Sequence, residues 1–139
     1  MAINTTPIFT KKGDIQWNPT ALAAANTAKD GTGIVATVFT AGADGAFVQR
    51  LVARPLGSNV ATVLRVFVNN GGVNTTAANN SLIAEMTLPA TALSEVAALP
   101  PYELPLNLAL PAGYRLLCSL GTAVVAGYQV SVLGGSYTF

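Results

Sequence analysis

The run Val60-Ala-Thr-Val-Leu-Arg-Val-Phe-Val-Asn69 decides the fold. Side chains alternate from face to face along a strand, so Val60, Thr62, Leu64, Val66 and Val68 share one side. Ala61, Val63, Arg65 and Phe67 share the other. A strand apolar on both faces, with one arginine, is either central in its sheet or part of a contact between chains.

The same alternation extends in both directions. Upstream, Ile34 to Ala41 is followed by the turn Gly42-Ala-Asp-Gly45, and Ala46 to Arg54 returns. Downstream, Asn69 to Asn80 is a long polar loop rich in Gly and Asn, residues that tolerate positive φ. Leu82, Ala84, Met86 and Leu88 then oppose Ile83, Glu85 and Thr87. Tyr102, Leu104, Leu106 and Leu108 alternate with Glu103, Pro105 and Asn107, and a proline inside such a run predicts an edge strand. Tyr114 to Leu120 and Tyr128 to Leu133 repeat the pattern. With a shorter strand at Asp14 to Trp17, these runs predict an all-β protein of about eight antiparallel strands. The architecture expected is a jelly-roll-like β-sandwich. Residues 1–30 are expected to form an N-terminal arm and lead-in, and residues 31–139 the sandwich domain. Within the lead-in, the alanine-rich Pro19 to Lys29 segment fits either a turn or two of helix or a strand-like approach. No repeat of fixed period is present, which argues against a solenoid or propeller.

Composition narrows the function. Only 9% of the 139 residues are Asp, Glu, Lys or Arg, against about 25% in ordinary soluble domains. The apolar fraction is 51% and the mean hydropathy is +0.49. Such a chain either enters a membrane or covers much of its exterior with partners. The longest charge-free stretch, Leu116 to Phe139, is broken by Gly121-Thr122, Gly127, Gln129, Ser131 and Gly134-Gly-Ser136, which describes strands around a turn, not a membrane helix. The start of the chain lacks a basic region followed by an apolar core, so no secretory signal is read there. A net charge of +1 leaves no electrostatic footprint for nucleic acid, the adjacent Lys11 and Lys12 notwithstanding.

Catalytic chemistry finds little support. The chain has no histidine and one cysteine, which removes Ser-His-Asp arrangements and the usual zinc sites. The acidic residues Asp14, Asp30, Asp44, Glu85, Glu95 and Glu103 are scattered singly, and the three aspartates each adjoin a glycine, as turn residues do. Neither Asp30-Gly-Thr-Gly33 nor Gly42-Ala-Asp-Gly45 is followed by the Gly-Lys-Ser/Thr of a phosphate loop. Cys118 stands in an apolar run and reads as a small buried hydrophobe. The expectation is a chain that is not an enzyme and takes no cofactor or metal.

Several stretches resemble a known group. Ala25-Asn-Thr-Ala-Lys-Asp-Gly-Thr-Gly33, Val35 to Ala41, Gly57 to Gly71, Leu110-Pro-Ala-Gly-Tyr-Arg-Leu116, Gly121-Thr-Ala-Val-Val-Ala-Gly127 and Gly134-Gly-Ser-Tyr137 carry the likeness. Together they resemble small virion structural proteins of tailed bacteriophages, of the capsid cement or decoration type. The resemblance implies a homo-oligomer in the virion, assembled in the host cytoplasm against the major capsid protein or other virion subunits. A tail-fibre or glycan-binding module is the rival expectation. Candidate interface residues are Ile3, Ile8, Phe9 and Trp17 in the leading segment, with Arg65, Phe67, Ile83, Leu117 and Leu133 on strands.

Overall fold

The computed structural model describes residues 9–138. The alternating runs form β1 (Lys12–Trp17), β2 (Ala36–Thr40), β3 (Ala46–Pro55), β4 (Thr62–Asn69), β5 (Asn80–Leu88), β6 (Tyr102–Leu110), β7 (Arg115–Leu120) and β8 (Tyr128–Ser136). They pair antiparallel in two four-stranded sheets, β1-β8-β3-β6 (sheet 1) and β2-β7-β4-β5 (sheet 2). That strand order is a jelly roll. Thr62–Asn69 of the decisive run forms β4, central in sheet 2 between β7 and β5, while Val60 and Ala61 fall in the preceding loop.

The inward faces form one core. Val48, Leu51 and Ala53 of β3 and Val130 and Val132 of β8 pack against Leu64 and Val66 of β4 and Leu116, Cys118 and Leu120 of β7. Burying each Val or Leu stabilises the fold by about 1.5–3 kcal/mol. The surface pair Arg50–Glu103, at 3.1 Å, contributes about 0–1 kcal/mol. A chain this poor in charge can therefore fold on apolar contact alone. Two glycines are structurally required. A Cβ at Gly134 would stand 2.2 Å from the Phe47 carbonyl oxygen, and Gly45 combines φ +83° with a Cβ position 2.6 Å from the Leu110 oxygen.

One open alternative is resolved and one reading is revised. The alanine-rich lead-in takes the strand-like alternative, through isolated bridges and not as a regular strand. Leu22 bridges to Tyr128, Ala25 bridges in parallel to Leu120, and Leu22 is buried in the core. β1, upstream of this segment, is a strand of sheet 1. Secondly, Leu82 does not share the face of Ala84 and Met86. The β4–β5 register shifts between Val66 and Phe67, so Ala84 opposes Val66 and Leu82 opposes Phe67, leaving Ile83 as an extra residue. One inserted residue reverses the side-chain phase beyond it. Among the described residues there is no α-helix, only a 3-10 turn at Ala77–Asn79.

Candidate interaction surfaces

The nine residues expected at an interface do not form one patch. Ile3 and Ile8 lie outside the described residues. Phe9 is exposed just ahead of β1. Trp17 and Leu133 share the outer face of sheet 1, where the register sets Leu133 opposite Ile15 and Trp17 opposite Ser131. Trp17 is 54% exposed and Leu133 half-buried. Ile83 is exposed on β5 at the edge of sheet 2. Arg65, Phe67 and Leu117 lie on the outer face of sheet 2, with Phe67 directly opposite Leu117.

Phe67 and Leu117 are corrections. Both are buried within the chain, at 0% and 1% exposure, so neither side chain has surface to offer a partner. They lie outside the main core, on the outer face of sheet 2, to which a strap, residues 26–34, is hydrogen-bonded. Arg65 holds one end, donating from Nη1 to the Asn26 carbonyl at 3.4 Å while its Nε pairs with Glu85 at 2.9 Å. Asn74 Nδ2 holds the other, donating to the carbonyls of Gly31 and Gly33, both at 3.1 Å, and Asn80 Nδ2 donates to Asp30 O at 3.0 Å. Asn26 folds the strap on itself, donating to Thr32 O and Ile34 O at 2.8 and 2.7 Å. In the strap, hydrogen bonds from Thr32 hold the exposed Asp30 carboxyl below its usual pKa. Arg65 is thus an internal clamp.

The surface that sequence reading missed is at one end of the sandwich. Three loops meet there: residues 56–61 between β3 and β4, 89–101 between β5 and β6, and 121–127 between β7 and β8. Asn59, itself buried, wires them together. Its Nδ2 donates to Gly127 O at 3.1 Å, and its Oδ1 accepts from the N–H groups of Ala126 and Gly127, both at 2.9 Å. Its backbone pairs with that of Thr91 in both directions. Thr91 Oγ1 donates to Gly57 O at 2.8 Å, Ser58 Oγ accepts from Leu93 N–H at 2.8 Å, and Thr62 and Thr122 exchange two further bonds. On this rigid frame Leu56, Val60, Leu93, Val96 and Val125 are exposed, Val96 to 98% and Val125 to 93%. Glu95 is the charged residue among these loops. Isolated exposed valines are ordinary; here five large apolar side chains stand out from three loops that hydrogen bonds tie together. The available signal was apolar residues inside segments that alternation assigns to turns.

The sandwich also differs at its two lateral edges. On the β1/β2 side, the Gln16 amide pairs with the backbone of Thr40 like another peptide group, donating to its O and accepting from its N–H at 2.9 Å each. On the β5/β6 side no comparable stitch is formed among the described residues. Tyr102, Leu104, Leu106 and Leu108 of β6 and Ala84 and Met86 of β5 remain only partly buried against the core. A shallow hollow of about 360 Å³ lies on sheet 1 over Gly13, Gly134 and Gly135, walled by Phe47, Ile15 and Leu133. Another of about 380 Å³ lies between residues 18–24 and 34–37.

Reactive groups are sequestered or dispersed. Burial drives the Cys118 thiol far above its ordinary pKa, which keeps it protonated and inert. Burial, reinforced by nearby Tyr102, likewise raises the Tyr128 hydroxyl. Among the described residues no three of His, Cys, Asp and Glu gather as metal ligands, and no helix is long and apolar enough to cross a membrane. No protein-family model, curated protein or solved structure matches the chain.

Proposed function

We propose that this chain is a non-catalytic structural subunit acting in many copies on a larger particle, as a cement or decoration protein on a tailed-bacteriophage capsid. The observation that carries the reading is the apolar crown: Val60, Leu93, Val96 and Val125 held outward on loops cross-linked by Asn59. A freely soluble domain gains nothing from fixing valines in water, while a subunit seated on a shell covers them. The charge content of 9% fits the same use. The jelly roll recurs in viral capsid and lectin domains, so the architecture is compatible with the role without deciding it. The resemblance of residues 25–137 to phage structural proteins supplies the choice of particle.

The mechanism is burial of apolar surface between subunits, worth about 25 cal/mol per Å² before association costs. A contact of about 1,600 Å² could hold a subunit with few ion pairs. Binding to empty shells should therefore survive high salt, and release at moderate ionic strength would refute the mechanism. A Val96→Asp, Val125→Asp double variant should fold normally and lose shell binding. Undiminished binding would exclude the crown.

One observation favours a second reading, a glycan-binding module. Trp17 is exposed on sheet 1 beside Ser131, with Gln129 exposed on the same face. An indole flanked by a hydroxyl and an amide suits a sugar ring. A glycan array on wild type and Trp17→Ala tests it, and no Trp17-dependent signal would dismiss it.

A further inference from the structure

We infer that the β5/β6 edge is a self-association site, where a second copy of this chain pairs antiparallel through β5 and closes the apolar lip. This deepens the reading of the chain as an assembly subunit.

Exposed strand edges invite pairing with another chain unless they are guarded. The edge strands here are β1, β2, β5 and β6. β2 has only five residues and carries a register shift between Thr37 and Phe39, with Gln16 occupying Thr40. β1 carries Lys12 and Asp14, and Gln16 ties it to β2. β6 has Pro105, which has no N–H to donate, and a bulge at Asn107 with φ +47°. β5 is bulged at Ile83 but runs nine residues, Asn80–Leu88, with neither proline nor lysine, and exposes Leu82 and Ile83. It is the least guarded of the four edges.

Geometry ties that edge to the lip. The dyad relating two antiparallel strands stands perpendicular to their sheet. Pairing β5 with its copy therefore makes one eight-stranded sheet and leaves both copies of sheet 1 on the same side. The two β6 strands then face each other across the dyad, and Leu104, Leu106, Leu108 and Met86 of each copy come under cover. One occupant thus accounts for both features.

Charge permits this pairing. Glu85 is the ionic residue of β5, and Arg65 of the same chain already neutralises it at 2.9 Å. A dyad at Ile83 sets Glu85 across from Ser81 of the second copy, and one at Ala84 sets it across from Ile83. Only a dyad at Glu85 itself would appose the carboxylates. Area sets the strength. Nine residues at about 3.4 Å each give an edge about 30 Å long. A width of about 20 Å, two sheets about 10 Å apart plus their side chains, gives about 600 Å² per copy. The total of about 1,200 Å² lies at the lower limit for specific interfaces, so the isolated dimer should dissociate on dilution.

Sedimentation of the full chain over a concentration series should show a reversible monomer–dimer equilibrium. Ile83→Lys should weaken it at least tenfold while leaving thermal stability unchanged. A wild type that stays monomeric to millimolar concentration, or an Ile83→Lys chain that dimerises as well as wild type, overturns the inference. A variant-free measurement covers the case in which Ile83→Lys fails to fold. Amide exchange in β5 should slow as wild-type concentration rises through the transition, with β1 unaffected, and concentration-independent exchange in β5 overturns the inference equally. These readings use no shells, so a failed dimer and a failed shell contact are separate results.

Discussion

Replacing Asn59 by alanine removes the side chain on which the crown depends. The amide makes three hydrogen bonds from a buried position, one to Gly127 O and two from the N–H groups of Ala126 and Gly127. Each contributes about 0.5–1.5 kcal/mol net, and stranded buried partners cost more than the lost bond itself. The sum is about 3 kcal/mol. At about 2.1 cal/mol/K of unfolding entropy per residue, a chain of 139 residues loses roughly 10 °C of melting temperature for that change. Calorimetry or urea titration of Asn59→Ala measures it directly. Amide exchange should also accelerate in residues 89–96 and 121–127 while β4 and β7 stay protected. Asn59→Asp should fall between alanine and wild type, because the carboxylate still accepts from both N–H groups but sets an acceptor against Gly127 O. A melting temperature lowered by less than about 3 °C in Asn59→Ala would refute the wiring.

Three further outcomes follow from buried or crowded positions. Phe67→Ala should lower the unfolding free energy of the isolated chain by about 3–5 kcal/mol in urea titration, because the ring is fully buried within the chain; a loss under about 0.5 kcal/mol would mean that the ring is open to solvent instead. The Cys118 thiol is raised by burial, so above its ordinary value of about 8.5 the unfolded chain gives up that proton first. Stability is accordingly full below about pH 8.5 and falls above it by at most about 1.4 kcal/mol per pH unit, with Tyr128 adding a like decline above about pH 10. Cys118→Ala should flatten the first decline and leave the second, and an unchanged slope between would count against the assignment. Gly134→Ala forces a methyl against the Phe47 carbonyl and should cost about 1–3 kcal/mol, read as a shifted urea midpoint.

The strands were legible because apolar alternation survives wherever one face of a strand meets the core, as in Tyr128, Val130 and Val132. The jelly-roll order was legible only as a class, since pairing β1 with β8 depends on contacts more than a hundred residues apart. Leu82 was misplaced because a bulge is a single inserted residue with no signature of its own. Phe67 and Leu117 look like partner contacts in sequence, being apolar on the face opposite the core. Both are nonetheless buried within the chain, on the face where a strap is tied down by Asn74, Asn80 and Arg65, and no local pattern announces a bond between residues 74 and 31. The crown was hidden for a related reason. Its valines occupy turns, and their exposure follows from how three separated loops are drawn together by Asn59.

Scarcity of charge has an internal cause as well as an external use. Loops that leave the sheets must still satisfy their backbone groups, and here neutral amides do so. Asn18, Asn26, Asn59 and Asn69 are all buried and all hydrogen-bonded. An amide offers two donors and an acceptor without the several kcal/mol that desolvating an ion costs. Asn18 shows the economy: its Nδ2 reaches Thr20 O and Tyr128 O while its Oδ1 receives Val130 N–H, and so it seats the lead-in against β8. A carboxylate there could accept but never donate, and an ammonium the reverse. Loop wiring through amides frees the interior from ions, but it leaves the crown and the β5 edge unexplained, since exposed positions bear charge at no desolvation cost. Their apolar character is therefore the part of the composition that folding does not require, and contact with other subunits is what would select it.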